Sequence, residues 1–229
     1  MEQIQNNRVI TDLYRENAQF PGIALDGSDV YLCWQRFVDR HDSLMASCRR
    51  GDEVVWEREI SDGGEVLHPV ILAHGGAIWY AWSEYARENW RILARCYRDG
   101  QWGEVLTVAS GEALFFPRLF TWQGKLHVIW TEQHKGSAAA VLCPLTEAGP
   151  GAAETVSTVG EAYRAGAAEG GDGNLYVAYD GFDGKQYKLF ARARTAAGWS
   201  EEIVVSQGED WASTPWIAAK PDGAVVGWY

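Results

Sequence analysis

Four segments of this sequence align on a proline followed thirteen residues later by a tryptophan: Pro21 to Trp34, Pro69 to Trp82, Pro117 to Trp130 and Pro215 to Trp228. The first three prolines stand 48 residues apart, and a further copy without the proline runs from Ala165 to Tyr179 with one residue inserted. A period of this size, repeated along 229 residues, means that one supersecondary unit is stacked several times. Each unit must bury its apolar surface against its neighbours, because it cannot do so alone.

The unit can be read residue by residue. Between proline and tryptophan lie a short apolar segment, a glycine turn (Gly27, Gly75-Gly76, Gly124, Gly171 to Gly173, Gly223) and a second apolar segment such as Ala77 to Trp82, the pattern of a β-hairpin. A third strand follows at Leu44 to Arg49, Arg91 to Tyr97, Ala138 to Cys143 and Lys188 to Arg194. A fourth is expected at Val54 to Ile60, Glu104 to Ala109, Glu154 to Thr158 and Glu201 to Ser206. The second strands are apolar on both faces, Ile78, Tyr80 and Trp82 against Ala77, Trp79 and Ala81, as in a sheet covered on both sides.

These features predict an all-β chain folded as a single β-propeller domain of about five blades, each of four antiparallel strands. The blades are expected over residues 21–61, 69–110, 117–158 and 165–206, with a last blade shared between 215–229 and 7–12 or left incomplete. Arg8-Val9-Ile10-Thr11 would supply the N-terminal strand of that blade and remove exposed sheet edges. The count leaves it one strand short, so self-association through an open edge, or a chain that is a fragment of a longer propeller, stands beside closure. Trp34, Trp82, Trp130 and Trp228 are expected to pack between blades.

Twelve tryptophans, ten tyrosines and twenty-five glycines fit aromatic strands joined by tight turns. A net charge of −11 argues against nucleic acid and anionic membranes as partners, since both call for a cationic surface. Met1 to Arg8 is polar and lacks the apolar core of a secretory signal, which points to the cytoplasm. Cys48, Cys96 and Cys143 recur at matching places, too far apart in neighbouring blades for a bridge. Cys33 and Cys48 could face each other across one hairpin, but buried free thiols are the better reading. The five histidines show no metal-ligand spacing, and Asp180-Gly181-Phe182-Asp183-Gly184 lacks the further oxygens of a calcium loop, so neither metal nor cofactor is expected.

The blades resemble those of the bacterial sialidase-like propellers with BNR, or Asp-box, repeats, as in Phe116-Pro117-Arg118-Leu119 and Gly124-Lys125-Leu126-His127-Val128-Ile129-Trp130-Thr131. Arg98-Asp99-Gly100-Gln101-Trp102 keeps the acid, glycine and tryptophan of an Asp box in compressed form, and Ala197-Gly198-Trp199-Ser200 keeps less. Arg50-Gly51-Asp52 to Trp56 is stretched, and Glu147-Ala148-Gly149 has lost the tryptophan. The resemblance implies boxes that shape turns away from the binding face. The family's arginine cluster, tyrosine nucleophile and aspartate acid/base do not map: Arg118 follows Pro117, but no Arg-Ile-Pro motif precedes the first blade. Sialidase activity is not expected.

Propellers bind ligands over the channel end where the loops from second to third strand and from blade to blade converge. The first set offers Arg36, Glu84, Tyr85, Trp90, Glu132, Gln133, Asp180 and Tyr187; the second offers Tyr14, Arg15, His68, Phe115, Arg164, Asp210 and Trp211. The ligand-binding candidates are Arg36, Glu84, Tyr85, Trp90, Glu132, Gln133, Tyr187 and Trp211, whose aromatic, amide and charged groups suit a carbohydrate or a protein. Glu84 and Glu132 each follow a blade tryptophan by two residues. With Asp180 they could instead form the paired carboxylates of a glycoside hydrolase, although equivalent acids also arise by duplication and pair with rim cations. A non-catalytic binding propeller is the leading expectation, with the glycosidase and an interaction or assembly scaffold as alternatives.

Overall fold

The computed structural model describes residues 17–61, 63–208 and 211–229. The expected N-terminal strand Arg8 to Thr11, and the loop residues Tyr14, Arg15 and Asp210, lie outside them. Among the described residues every regular element is a β-strand.

The first sheet holds β1 (Asn17–Asp26), β2 (Asp29–Val38), β3 (His41–Arg50) and β4 (Glu53–Glu59), hydrogen-bonded in chain order and antiparallel. The second holds β5 (Glu65–His74), β6 (Ala77–Ala86) and β7 (Asn89–Arg98), with a fourth strand broken into β8 (Gln101–Trp102) and β9 (Leu106–Gly111). The third repeats this with β10 (Ala113–Trp122), β11 (Lys125–His134), β12 (Ser137–Thr146), β13 (Gly149–Pro150) and β14 (Glu154–Thr155). The fourth does so with β15 (Ala162–Glu169), β16 (Leu175–Phe182), β17 (Tyr187–Thr195), β18 (Gly198–Trp199) and β19 (Ile203–Val204). A two-stranded hairpin, β20 (Trp216–Lys220) and β21 (Gly223–Gly227), completes the described chain.

The core lies between the sheets. On β6, Ile78, Tyr80 and Trp82 join a cluster with Tyr31, Leu44 and Ala46 of the first sheet. The alternate residues Ala77, Trp79 and Ala81 join Leu114, Val128 and Trp130 of the third. A third cluster joins Phe120, Ile129 and Leu142 to Ala162, Val177 and Tyr179. Strand side chains alternate between faces, so a run apolar throughout serves two interfaces at once. That is the arrangement of a β-propeller. The last hairpin packs on β15 and the turn after it: Gly171 in that turn donates its N–H to the Lys220 carbonyl at 2.9 Å, and a Cβ on Gly166 of β15 would come within 3.1 Å of Ile217.

Local sequence explains the shape of the strands. Gly75-Gly76, both at positive φ, form the two-residue turn between β5 and β6; such turns match the twist of the strands they join. The fourth strand of the second sheet breaks where Gly103 donates its N–H to the Cys96 carbonyl at 2.9 Å, so close that a Cβ there would stand 2.9 Å from the Cys96 Sγ.

Trp34, Trp82 and Trp130 are buried as expected, at 5%, 0% and 1% exposure, whereas Trp228 is 45% exposed. The difference follows from cover, because β21 pairs with β20 alone among the described strands. The four cysteines are unbridged, and each is 6% exposed or less. Burial pushes the Cys33 thiol up to about 12 and the Cys143 thiol to about 11. Iodoacetamide at about pH 8 is therefore expected to leave the native protein unlabelled and to modify all four thiols once it is unfolded. Intact-mass measurement checks this, and rapid labelling of a native thiol would contradict it.

Candidate ligand site at the channel mouth

The repeated proline is not the start of the first strand of each blade but its irregular middle. Pairing along the inner strands shifts register between Gln19 and Gly22, Leu67 and Val70, Phe115 and Arg118, and Tyr163 and Gly166. Proline has no N–H to give to the ladder, so a bulge is where a strand can carry it. The residue before it adopts positive φ at Phe20 (51°), His68 (54°), Phe116 (55°) and Thr214 (56°), and so does Arg164 (43°), which precedes Ala165 in the copy without the proline. Such backbone costs about 1–3 kcal/mol per residue and persists where the surrounding fold over-determines it. A bulge also re-aims a side chain.

All five positive-φ residues line one cavity of about 340 Å³, joined by Arg118 and Trp216. Each of the first four sheets contributes one of them and Thr214 stands two residues before β20, so the cavity is the mouth of the central channel. Phe20 meets the His68 ring edge-on at 5.0 Å between centroids, and His68 lies 4.2 Å from Phe116. The Arg118 guanidinium sits 5.4 Å from the centroid of the Trp216 ring. Arg164 donates from Nε to both Asp180 oxygens, at 3.1 and 3.0 Å, and again from its terminal nitrogen, while its backbone N–H bonds Thr131 Oγ1 at 3.1 Å. Asp180 is fully buried. No carboxylate lines this cavity among the described residues.

Burial, with the neighbouring Arg118 charge, holds the His68 imidazole down at about 4, below its ordinary 6.5. The folded protein therefore favours the neutral ring, and between these values the unfolded chain binds more protons. The stability this group contributes is present in full above pH 6.5 and is lost as the pH falls through the window to about 4. An NMR titration of the His68 ring is expected to show a midpoint near 4; a midpoint at about 6, the range of a solvated imidazole, would contradict it.

The residues singled out from the sequence are distributed around this mouth. Glu84 is 1% exposed, ion-paired with Arg91 and within 3.4 Å of the Trp82 Nε1 donor. Glu132 is half-buried and lines a separate cavity with His134, Ser137 and Ala139. The two acids occupy equivalent places, but Glu84 faces Arg91 across the hairpin and Glu132 faces Ala139. Arg36 is 3.3 Å from Glu59. Tyr85 and Trp90 form a cross-strand ring pair at 5.2 Å, and Trp90 continues to Phe115 at 4.6 Å, next to Phe116 in the channel. Tyr187 meets Trp211 at 5.4 Å and Tyr163 at 6.2 Å, and Gln133 lies beside Tyr163, the neighbour of Arg164. Two aromatic arms thus lead to the channel ring. Phe20, Phe116 and Thr214 were absent from the sequence candidates, although one signal marks them: each precedes the repeated proline.

Solved carbohydrate-active enzymes share this architecture. An endo-arabinase from Bacteroides thetaiotaomicron is similar with a TM-score of 0.57 at 11% identity, over 92% of this chain and 93% of that one. A xylan β-1,4-xylosidase from Bacillus halodurans gives 0.54 at 13%, over 88% of this chain and 46% of the enzyme, so the chain spans less than half of that protein. A family 117 glycoside hydrolase from Zobellia galactanivorans gives 0.53 at 13%, over 91% and 74%. At such identities the likeness shows the fold, a β-propeller. No protein-family model and no curated protein sequence matches the chain.

Proposed function

We propose that this protein is a saccharide-binding propeller that holds its ligand at the channel mouth without cleaving it. The observation that carries the reading is the lining of a cavity to which all five blades contribute: rings from Phe20, Phe116 and Trp216, donors from His68, Arg118 and Thr214, and no carboxylate among the described residues. Aromatic faces pack against the C–H faces of sugars, and a few placed polar groups orient a ligand in a concave site. The arabinase, xylosidase and family 117 hydrolase named above support a carbohydrate as ligand class.

Hydrolysis of a glycoside uses two carboxyl groups flanking the bond, about 5–10 Å apart. Glu84 and Asp180 are committed to Arg91 and Arg164, and Glu132 lines a different cavity. The kinship with Asp-box propellers is part of the same proposal. Asp99 and Gly100 form a turn at positive φ, and Trp102 packs within 5.5 Å of Trp56, Tyr80 and Tyr97, a role in holding blades together.

A glycan array followed by calorimetry tests the reading. Binding is expected for at least one saccharide class, weakened about tenfold or more by Phe116→Ala, with no release of aglycone from aryl glycosides. Turnover that Glu132→Gln abolishes would overturn it in favour of a glycosidase.

A further inference from the structure

The first and second sheets enclose another cavity, of about 290 Å³, at the end of the blades away from the channel mouth. Phe20, near the start of β1, lines the mouth, and Asp26, at the far end of the same strand, lines this second space. At about 3.3 Å per residue the two positions stand about 20 Å apart.

Its charges do not balance. Three carboxylates, Asp26, Asp29 and Asp99, line it against a single guanidinium, Arg50. Arg50 is spent on Asp29, to which it donates from Nε and from a terminal nitrogen at 2.7 and 2.8 Å. Arg98, whose side chain reaches the Gly75 carbonyl beside the cavity, is paired with Glu147. Asp26 and Asp99 have no ion-pair partner among the described residues, so the lining keeps an excess of negative charge.

The rest of the wall is aromatic. The rings of Tyr31, Trp56 and Tyr97 have centroids 5.0 to 6.2 Å apart and planes tilted by 54° to 58°. No pair of the three stacks, so their π faces are not taken up by one another. Elsewhere tryptophans late in a blade hold a cation of the chain's own: Arg95 lies 5.3 Å from the Trp102 centroid, and Arg192 and Arg194 lie 5.5 and 5.6 Å from that of Trp199. Among the described residues no arginine or lysine does this for Tyr31, Trp56 or Tyr97. Aromatic faces beside carboxylates suit an organic cation, which the ring quadrupole attracts without asking for hydrogen bonds. An inorganic ion would need a shell of oxygens in place of the rings.

We propose that this cavity binds an alkylated ammonium group, its methyl groups against Tyr31, Trp56 and Tyr97 and its charge answered by Asp26 and Asp99. The site is independent of the saccharide reading. Two sources share the chemistry, a free quaternary amine and a methylated lysine side chain.

The test is calorimetry with the full chain, titrated with choline, with the uncharged isostere of choline that carries carbon in place of nitrogen, and with a short peptide bearing trimethyllysine beside its unmethylated form. Choline or the methylated peptide is expected to bind about threefold to tenfold tighter than its control, and the difference to shrink in high salt. Binding of choline alone would assign the source to a free amine, and binding of the methylated peptide alone to a protein side chain; either supports the proposal. Asp26→Asn with Asp99→Asn, at two exposed turn positions, is expected to remove most of the preference for charge. Trp56→Leu keeps apolar surface and removes the π face, and is expected to bring the cation and its isostere to equal affinity. Equal affinity for choline and the isostere in the unaltered protein, or no saturable binding of either cation, would overturn the proposal. Calcium that binds tightly and displaces choline would overturn it in favour of a metal site.

Discussion

Asp180→Ala is expected to lower the unfolding free energy by about 3–5 kcal/mol, because it strands a partly buried guanidinium. Asp180 is 0% exposed and accepts from Arg164 at two oxygens, while Arg164 is held in place by its own bulged backbone and by Thr131. Removing the carboxylate leaves an unpaired charge on a side chain that is only about a third exposed. Urea denaturation with linear extrapolation measures the loss. Asp180→Leu combined with Arg164→Met tests the cause, since replacing both partners with apolar groups is expected to recover much of the stability. A loss of under about 1 kcal/mol for Asp180→Ala would mean that the pair behaves as a surface ion pair.

The second large effect belongs to the blade tryptophans. Trp82→Ala is expected to cost about 3–5 kcal/mol, the range for a large aromatic removed from a core that does not collapse around the void. Trp82 is fully buried in the interface between the first and second sheets, beside Tyr80 and Leu93. A domain is typically stable by about 5–15 kcal/mol, so this one change removes a large share. Trp228→Ala, at a ring 45% exposed, is expected to cost about 1 kcal/mol or less. Guanidinium denaturation of the two variants side by side gives the contrast, and equal losses would show that the repeat position alone sets the contribution, without regard to cover.

The fold was legible because it is written several times over. A buried strand between two sheets must be apolar on both faces, and β6 shows that pattern without any tertiary information. The site was less legible for a reason of register. Glu84 and Glu132 stand at equivalent places, and the fate of each depends on the residue across the hairpin. For a two-residue turn that residue lies seven positions on, Arg91 in one case and Ala139 in the other. The partner was therefore present in the sequence, but reading it required knowing that the loop is two residues long. Tyr187, Trp211 and Gln133 were recognised as candidates, yet their assembly around Tyr163 joins separate blades, a relation no local pattern holds.

By itself, then, the sequence determined the repeat, the all-β propeller and the burial of Trp34, Trp82 and Trp130, because hydrophobic periodicity and turn chemistry are local properties that recur with each unit. Only the tertiary structure decided what the repeated prolines do. Those of the first three blades mark bulges that turn Phe20, His68 and Phe116, with Arg164 and Thr214 from the other two, into one channel mouth. It also decided what each of two arginines there meets: Arg164 pairs with Asp180, and Arg118 lies over the ring of Trp216. Charge balance in a cavity depends on which side chains from distant parts of the chain come within a few ångströms of one another. That is set by how the blades close around the axis.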